Sequence, residues 1–504
     1  MFSLLFHLGQ SYSFFPVSPL SFVLFLLKTH HFDATKAPFL FFFLSLSSVN
    51  VKNIAPMKHF ILSLLLLLCA APAAAQEFSQ WFDGATLRLD YILGGDARKT
   101  DIYFSDMRRQ PFWAGRRSRL SEVFLKGYGQ LTMRDAESGT VIYVTNFSTL
   151  YHEWLQSREA ERLRRAFETS YNVPFPKRPV DITLTLTDTR GRETASLTHR
   201  VDPADILIRT VSRARYPYQY IWKGHCLTPM VPTPERDRDS ISGGTGRDYT
   251  QIPFSPLEGV DIVHNVDLAI VADGYTEAEM GKFYTDCRRA VEVLFAREPF
   301  RSLKSRFNVV AVAPPCRDTG VSVPHLHDWR ETTSGIRYDM FYIDRYFITQ
   351  EMHRVYDLLD GVPFEHIMVL ANTSTYGGGG IFNQVTTSSS NHPSFAQVFV
   401  HEFGHSYGGL GDEYAYDDMP TVWYPKGTEP WEPNLTTQHR FSDKWQDLIE
   451  AGVPGVGLFE GAGYQSKGCW RPCEDCRMRT NAAPDFCPVC DRAIRRITDF
   501  YTAE

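Results

Sequence analysis

The chain has 504 residues, of which 43% are hydrophobic and 22% are charged, which are the proportions of an ordinary globular protein with two or more domains. Its net charge of -6 at pH 7 argues against a nucleic-acid partner, because binding to phosphates requires a basic surface. Composition and charge therefore favour a multi-domain protein whose partners are not nucleic acids.

The N-terminus contains two apolar stretches in succession. Residues 1–56 are rich in Phe, Leu and Ser and show no steady periodicity. Met57 and a basic residue then precede a short apolar run and an alanine-rich stretch that ends at Ala75. This order is typical of a secretory signal peptide at residues 57–75. We predict that translation starts at Met57, that residues 1–56 are a mis-called extension, and that cleavage after Ala75 exports the protein to the periplasm, the cell surface or the medium.

Two other interpretations of this region remain open. Residues 14–27 are apolar, as in a membrane anchor, but they are fewer than the ~20 residues that a spanning helix needs. Cys69 could carry the lipid of a lipoprotein, but Leu68 before it has the wrong size for a lipidation signal. We therefore predict no stable membrane partner.

Residues 77–225 show the two-residue alternation of half-buried strands. The segments 86–91 and 182–187 alternate apolar and polar side chains, and 140–145 is another expected strand. This pattern predicts an antiparallel β-sandwich that is interrupted by one helix at residues 159–169. The sequence of this region offers no catalytic constellation, so an accessory, binding or structural role is expected.

Residues 226–250 form a predicted linker, because their alternating charges and glycines are poorly suited to a core. Residues 251–504 then alternate strand and helix patterns, which predicts an α/β domain. Strands are expected at 266–271, 307–313, 366–371 and 381–386, and helices at 276–295 and 338–359.

The sequence HEFGH at residues 401–405 carries a metal-binding pattern. His401 and His405 are four residues apart, so both imidazoles lie on one face of a helix and can bind one zinc ion. Glu402 lies beside them and is predicted to act as general base on a zinc-activated water. This H-E-x-x-H pattern is typical of a metallopeptidase, and a chance match on a structural helix is the alternative.

A third ligand is expected beyond this helix, because catalytic zinc has three protein ligands and one open position. Gly408 and Gly409 end the helix and allow the chain to return to the metal. Asp412 is the preferred third ligand, with Glu413 as its rival. A tyrosine that stabilises the oxyanion is also expected. The candidates for this role are Tyr414, Tyr416 and Tyr424.

Four glycines at residues 377–380 precede a short apolar segment. They lack the Gly-Lys-Ser/Thr of a phosphate-binding loop, so a flexible lead into an edge strand fits better. An extended peptide can add to such an edge through main-chain hydrogen bonds. The predicted border of the substrate cleft consists of Gly379, Gly380, Ile381, Phe382 and Asn383.

Five of the nine cysteines lie close together near the C-terminus, namely Cys469, Cys473, Cys476, Cys487 and Cys490. Two C-x2-C pairs among them have the spacing of a structural zinc site, but an oxidising compartment favours disulfides. We therefore predict disulfides, with an additional structural metal as the alternative. His325 and His327 are predicted to be surface histidines and not ligands.

Several short motifs of the C-terminal half accompany the H-E-x-x-H pattern. They are ADGYT at 272–276, GGGGIFN at 377–383, GLGDEY at 409–414, CRMR at 476–479 and FCPVC at 486–490. Together they resemble the IgA-peptidase family of secreted bacterial zinc endopeptidases. The resemblance implies a zincin, metzincin-like catalytic domain with His401, His405 and Asp412 as zinc ligands and Glu402 as base. It also implies that Met478 is the methionine turn below the metal, but it does not imply cleavage of IgA.

The sequence thus predicts a multi-domain, secreted zinc endopeptidase that acts on protein or peptide substrates, with an N-terminal antiparallel β-sandwich followed by an α/β zincin domain. One alternative is a non-enzymatic surface-binding protein with a structural metal site, and another is a metal-dependent amidase for cell-wall peptides. Glu402 argues against a purely structural site, which would have four protein ligands and no need for a base.

Overall fold

The computed structural model describes residues 77–227, 257, 259–417 and 422–502. The predicted N-terminal extension, the signal peptide with its cleavage site, Cys69 and nearly all of the linker at 226–250 lie outside the described residues. Within the described ranges, no helix combines the length and the apolar character that crossing a bilayer would require.

The N-terminal region is built mainly from antiparallel strands. Its elements are α1 (Phe78–Trp81), β1 (Phe82–Asp96), β2 (Lys99–Gln110), β3 (Gly129–Asp135), β4 (Val141–Phe147), α2 (Leu150–Leu155), β5 (Arg165–Pro176), β6 (Val180–Thr187), β7 (Glu193–Val201) and β8 (Arg209–Thr210). The strands form two sheets in the orders β5-β1-β2-β8 and β4-β3-β6-β7. All neighbours are antiparallel except β2 and β8.

A six-stranded mixed sheet is the centre of the C-terminal region. Its strands are β9 (Tyr218–Lys223), β10 (Val266–Asp273), β11 (Phe307–Val312), β12 (His366–Ala371), β13 (Gly378–Ile381) and β14 (Val385–Ser389). In the order β13-β14-β12-β10-β11-β9, the four central strands are parallel and both edge strands are antiparallel to their neighbours. The strands β10, β11 and β12 are buried on both faces, which explains their largely apolar sequences.

The other elements of the C-terminal region are helices and one small sheet. The helices are α3 (Met280–Phe295), α4 (Phe300–Leu303), α5 (Met352–Leu358), α6 (Phe395–Ser406), α7 (Gln446–Glu450) and α8 (Pro488–Thr502), with 3-10 turns at Glu277–Glu279, Lys304–Arg306, Pro324–Leu326, Met340–Tyr342 and Phe441–Asp443. The strands β15 (Ala415–Tyr416), β16 (Phe459–Ala462) and β17 (Tyr464–Arg471) form a sheet in the order β15-β17-β16.

The two faces of the six-stranded sheet pack against different layers, because successive side chains of a strand point to opposite sides. Leu268 and Ile270 of β10 belong to a core that they share with buried residues of α3, α6 and α8. Ala269 and Val271 belong to a second core, which also contains buried side chains of both N-terminal sheets. The sheet therefore connects the helical layer with the N-terminal region.

Two predicted helices are wrong. Residues 338–359 are α-helical only at Met352–Leu358. The predicted helix at 159–169 is displaced, because the helix of this region is Leu150–Leu155 and Arg165–Pro176 is a strand. That strand pairs with β1 along most of its length, so long-range pairing outweighs the local helix propensity.

The predicted strand at 381–386 is a hairpin. The glycine run forms β13 itself, and β14 starts at Val385, directly opposite Ile381. Asn383 in the connecting turn has a φ of 52°, a conformation that asparagine adopts more readily than most residues.

Strand β9 corrects the division of the chain into domains. The sequence assigned residues 77–225 to the sandwich, but Tyr218–Lys223 pairs with Phe307–Val312. This strand therefore belongs to the C-terminal sheet.

Candidate metal centre

The H-E-x-x-H residues lie on helix α6, as the sequence predicts. The helix ends at Ser406, and Gly409 has a φ of 60° while its amide donates to the carbonyl oxygen of His405 (3.1 Å). Glycine adopts this left-handed conformation without the steric cost of a Cβ, so the chain can reverse here. The reversal returns residues 410–412 to the face of the helix that carries both histidines.

Three ligand atoms converge at this face. His401 Nε2 lies 3.0 Å from His405 Nε2 and 3.1 Å from Asp412 Oδ1. His405 Nε2 lies 3.3 Å from the same carboxylate oxygen. Ligands at about 2.0–2.1 Å from a tetrahedral zinc ion are about 3.3 Å apart, so these separations fit three ligands of one ion.

The hydrogen bonds of the two rings fix their tautomers. Nδ1 of His401 lies 2.9 Å from the carbonyl oxygen of Arg477, and Nδ1 of His405 lies 2.6 Å from that of Leu410. A carbonyl oxygen only accepts, so each neutral ring carries its proton on Nδ1 and has a lone pair on Nε2. Two lone pairs and a carboxylate oxygen thus point at one another, and this donor set fits a divalent cation.

Asp412 is positioned by residues that local sequence patterns do not single out. Tyr464, the first residue of β17, donates its hydroxyl to Oδ2 of Asp412. The side chain of Asn434 bonds both the amide and the carbonyl of Gly411, at 2.8 and 2.9 Å. Glu413 points to a cluster of cysteines instead. The structure therefore brings Asp412, and not its rival Glu413, to the histidines.

Glu402 lies beside the ligand atoms and against the edge strand β13. A Cβ built on Gly378 would be 2.8 Å from both Cγ and Oε1 of Glu402. Desolvation raises the pKa of Glu402 above its ordinary value, and the neighbouring histidines oppose this shift. The carboxyl group of Glu402 therefore interacts electrostatically with both histidines and with Asp412.

Two family models match the chain. The family described as IgA Peptidase M64 matches residues 256–455 and 453–498, and the one described as Peptidase M64 N-terminus matches residues 77–198. The chain belongs to the IgA peptidase M64 family. M64 peptidases are metallopeptidases, so protein or peptide substrates are expected for this chain. A search among curated proteins found no match.

The glycines predicted to border the cleft of this M64 peptidase lie alongside helix α6. A Cβ on Gly380 would be 2.3 Å from the carbonyl oxygen of Glu402 and 2.9 Å from Cβ of His405. Gly379 faces away from the helix, towards the ring of Tyr346. Gly380 is thus the member of the predicted set that contacts the helix bearing the ligands.

The other three residues of the predicted set are directed elsewhere. The side chain of Ile381 is buried in the core. The carbonyl oxygen of Phe382 accepts from the amide of Ser148 (2.9 Å), and Nδ2 of Asn383 donates to the carbonyl oxygen of Asn146 (2.8 Å). The hairpin that follows the glycines is therefore bound to the N-terminal region.

The three candidate tyrosines have different surroundings. The guanidinium of Arg345 lies 5.7 Å from the ring centre of Tyr414 and donates to the hydroxyl of Tyr416. Tyr424 donates its hydroxyl to Glu432 (2.9 Å). Tyr414, whose pKa is raised by burial and by Asp412, stays the candidate oxyanion residue.

Met478 lies directly below helix α6. The side chain is fully buried, and a Cβ on Gly404 would be 2.7 Å from its sulfur. Its carbonyl oxygen accepts from the amide of Glu413 (2.8 Å). That Met478 forms a methionine turn stays a prediction of the family resemblance.

A carboxyl group from the N-terminal region also lies close to the site, and the sequence analysis missed it. Glu153 on α2 accepts a hydrogen bond from the hydroxyl of Tyr346, which is 193 residues later in the chain. Burial raises the pKa of Glu153 to about 7, and Asp412 and Glu402 add to this while Tyr346 and His405 oppose it. Because the partners are so distant in sequence, no local signal could identify this residue.

The predicted disulfides are wrong. Each cysteine that the structure describes is a free thiol, and the sulfur atoms of Cys476 and Cys490 are 3.8 Å apart. His325 and His327 are exposed, as predicted for surface histidines. His325 lies 2.9 Å from Asp339 in an exposed group with Asp344, to which we assign no site.

Proposed function

We propose that the chain is a zinc endopeptidase whose catalytic domain has the zincin fold. The convergence of His401, His405 and Asp412, with Glu402 beside them, is the observation that carries this proposal. The antiparallel edge strand β13 next to helix α6 supplies the arrangement of sheet edge and metal helix that a zincin needs.

Each residue of the site has its own task in the proposed mechanism. His401, His405 and Asp412 hold the ion, and their hydrogen bonds keep the ligand atoms oriented. When bound, zinc supplies the Lewis acidity that activates water and polarises a carbonyl group. Glu402 takes a proton from the attacking water and passes it to the departing amine.

The outer edge of β13 is proposed to align the substrate. The main-chain N–H and C=O groups of a strand point alternately to its two sides, so those of Gly380 point to the same side as those of Gly378. On this side the carbonyl oxygen of Gly378 accepts from the amide of Phe347 (3.3 Å). Further along, Ser148 occupies the carbonyl oxygen of Phe382. An extended peptide can pair with Gly380 between these two positions.

Export is part of the same proposal. Residues 57–75 have the order of a signal peptide, and the predicted mature chain begins after Ala75. The proposed enzyme therefore meets its substrates in the periplasm, at the cell surface or in the medium.

Digestion of a peptide library, combined with metal analysis of the purified full-length protein, tests the proposed function. Glu402→Gln should retain zinc, because all three ligands remain. Its kcat/KM should fall by roughly 10²–10⁴-fold, because the general base is missing. His405→Ala should lose the ion held by the two histidines and Asp412, and with it the activity.

The matched control is Glu292→Gln, which changes an exposed glutamate on helix α3. Zinc content and turnover should both stay at the wild-type level. Equal digestion by Glu402→Gln and the wild type would contradict the proposal, as would full activity after a chelator has removed all zinc.

A further inference from the structure

Four cysteines of the C-terminal region form a buried cluster that the proposed mechanism does not use. Cys473 and Cys476 are one C-x2-C pair, and Cys487 and Cys490, at the start of helix α8, are the other. Ligand atoms of Cys476, Cys487, Cys490 and Glu413 all lie within 4.8 Å of one another. Cys473, through its C-x2-C spacing with Cys476, completes the set of four cysteines. All four are buried, and all four are free.

The spacing of the sulfur atoms fits a metal ion better than a disulfide. Four sulfur ligands at about 2.3 Å from a tetrahedral zinc ion are about 3.8 Å apart. The sulfur atoms of Cys476 and Cys490 have a separation of 3.8 Å. A disulfide would bring two sulfur atoms to about 2.05 Å. Tetrahedral sulfur ligands select zinc and exclude hard cations such as Mg²⁺.

A buried carboxyl group next to the sulfur atoms is an independent sign of a bound cation. Glu413 is fully buried, with Oε1 at 3.2 Å from Sγ of Cys490 and 2.9 Å from Nδ2 of Asn434. Within the described part of the chain, its Oε2 has no hydrogen-bond partner. A buried oxygen without a partner is unfavourable unless a nearby ion compensates it.

We propose that Cys473, Cys476, Cys487 and Cys490 bind one structural zinc ion as thiolates, with Glu413 beside the ion but not bound to it. Binding releases the four thiol protons to solvent and forms four Zn–S bonds, without oxidation. Four protein ligands leave no position for water, so the ion has a structural role. This proposal does not depend on the proposed peptidase activity.

The proposed ion would order the segment that supports the catalytic ligands. Residues 472–487 contain neither helix nor strand. Nevertheless, the carbonyl oxygen of Arg477 binds Nδ1 of His401, and that of Met478 binds the amide of Glu413. Since Glu413 directly follows Asp412, one loop contacts both sites. A structural ion would thus hold these carbonyl groups in place.

Metal stoichiometry and the absorption spectrum of the cobalt-substituted, full-length protein test this proposal. The wild type should bind two ions per chain and show the strong sulfur-to-cobalt charge-transfer absorption of a thiolate site. His405→Ala should retain one ion and this absorption, whatever its activity. Cys487→Ser should lose the absorption and one ion, and its remaining site should bind zinc roughly 10–100-fold more weakly.

The control Cys226→Ser changes an exposed cysteine outside the cluster and should bind two ions. Glu413→Gln should also retain two ions. Loss of the second ion from this variant would contradict the proposal that four thiolates alone bind it. If the cluster variants fail to fold, thiol reactivity of the wild type tests the proposal instead. Its four cluster thiols should react with a thiol reagent only after a chelator has removed the ion. A disulfide among the four cysteines, iron in place of zinc, or a wild-type protein without the sulfur-to-cobalt absorption would overturn the proposal.

Discussion

Tyr464 shows how a single side chain can position a metal ligand. It has a φ of 64°, a left-handed conformation that costs a residue with a Cβ roughly 1–2 kcal/mol. Its amide donates to the carbonyl oxygen of Tyr414 (3.0 Å), and its hydroxyl donates to Oδ2 of Asp412. The surrounding structure therefore holds Tyr464 in an unfavourable backbone conformation. In this conformation the hydroxyl of Tyr464 binds Oδ2 of Asp412, so that Oδ1 faces the histidines.

We expect Tyr464→Phe to weaken zinc binding roughly 10–100-fold, because Asp412 loses the hydrogen bond that orients it. A competition titration against a chelator of known affinity measures this change. Tyr342→Phe is the matched control, since the side chain of Tyr342 is 84% exposed. Unchanged affinity in Tyr464→Phe would mean that the backbone alone orients Asp412.

At the scale of elements, the contact between β13 and α6 depends on the absence of side chains. A Cβ on Gly380 would lie 2.3 Å from the carbonyl oxygen of Glu402, and one on Gly378 would lie 2.7 Å from Cγ1 of Val398. Both distances are far below van der Waals contact. The glycine run therefore allows the edge of the sheet to lie directly beside the metal helix, and this close approach brings the strand to Glu402.

We expect Gly380→Ala to destabilise the protein by about 1–3 kcal/mol, because the strand must move away from the helix. The value of kcat/KM should fall further than stability alone explains, since the same movement separates the strand from Glu402. Thermal unfolding and peptide turnover measure the two effects.

Gly281→Ala is the control for this prediction, because Gly281 is an exposed helix residue and a Cβ there meets no atom within 4 Å. Its stability should be unchanged or slightly higher, as alanine favours a helix more than glycine does. Equal behaviour of the two alanine variants would show that the contact between β13 and α6 tolerates a side chain.

At the scale of the whole molecule, the N-terminal sheets and the C-terminal sheet are joined by a common core and by buried ion pairs. One hydrophobic cluster contains side chains from β1, β6, β10 and β12. Arg88 of β1, which is 1% exposed, pairs with Asp90 at 2.8 Å and with Asp357 of helix α5 at 2.7 Å. The N-terminal region is therefore an integral part of the folded structure and positions Glu153 near the site.

We expect residues 77–502 to unfold in one transition, because the two regions share a core. Arg88→Met should cost about 3–5 kcal/mol, since it leaves the buried carboxylate of Asp90 without its cation. Urea unfolding followed by tryptophan fluorescence measures both quantities. Arg200→Met, which breaks an exposed pair with Asp181, should leave the free energy of unfolding nearly unchanged. Two separate transitions would contradict a shared core.

Patterns between neighbouring residues were sufficient to predict much of the chain. The spacing of His401 and His405 defined their common helix face, and the glycines after them defined its end. The apolar run at 266–271 predicted a central strand. These features depend on a few consecutive residues, so the sequence alone determined them. The helix predicted at 159–169 failed because pairing with a distant strand decided its conformation.

The tertiary structure alone decided how distant segments complete the site. The choice of Asp412 over Glu413 depends on Asn434 and Tyr464, and the orientation of His401 depends on the carbonyl group of Arg477, 76 residues away. Whether the clustered cysteines form disulfides or stay free thiols likewise depends on how the segment that carries them packs, and the structure shows free thiols. Such contacts join residues that are far apart in the chain, and their geometry follows from the packing of the whole molecule, which local periodicity does not encode.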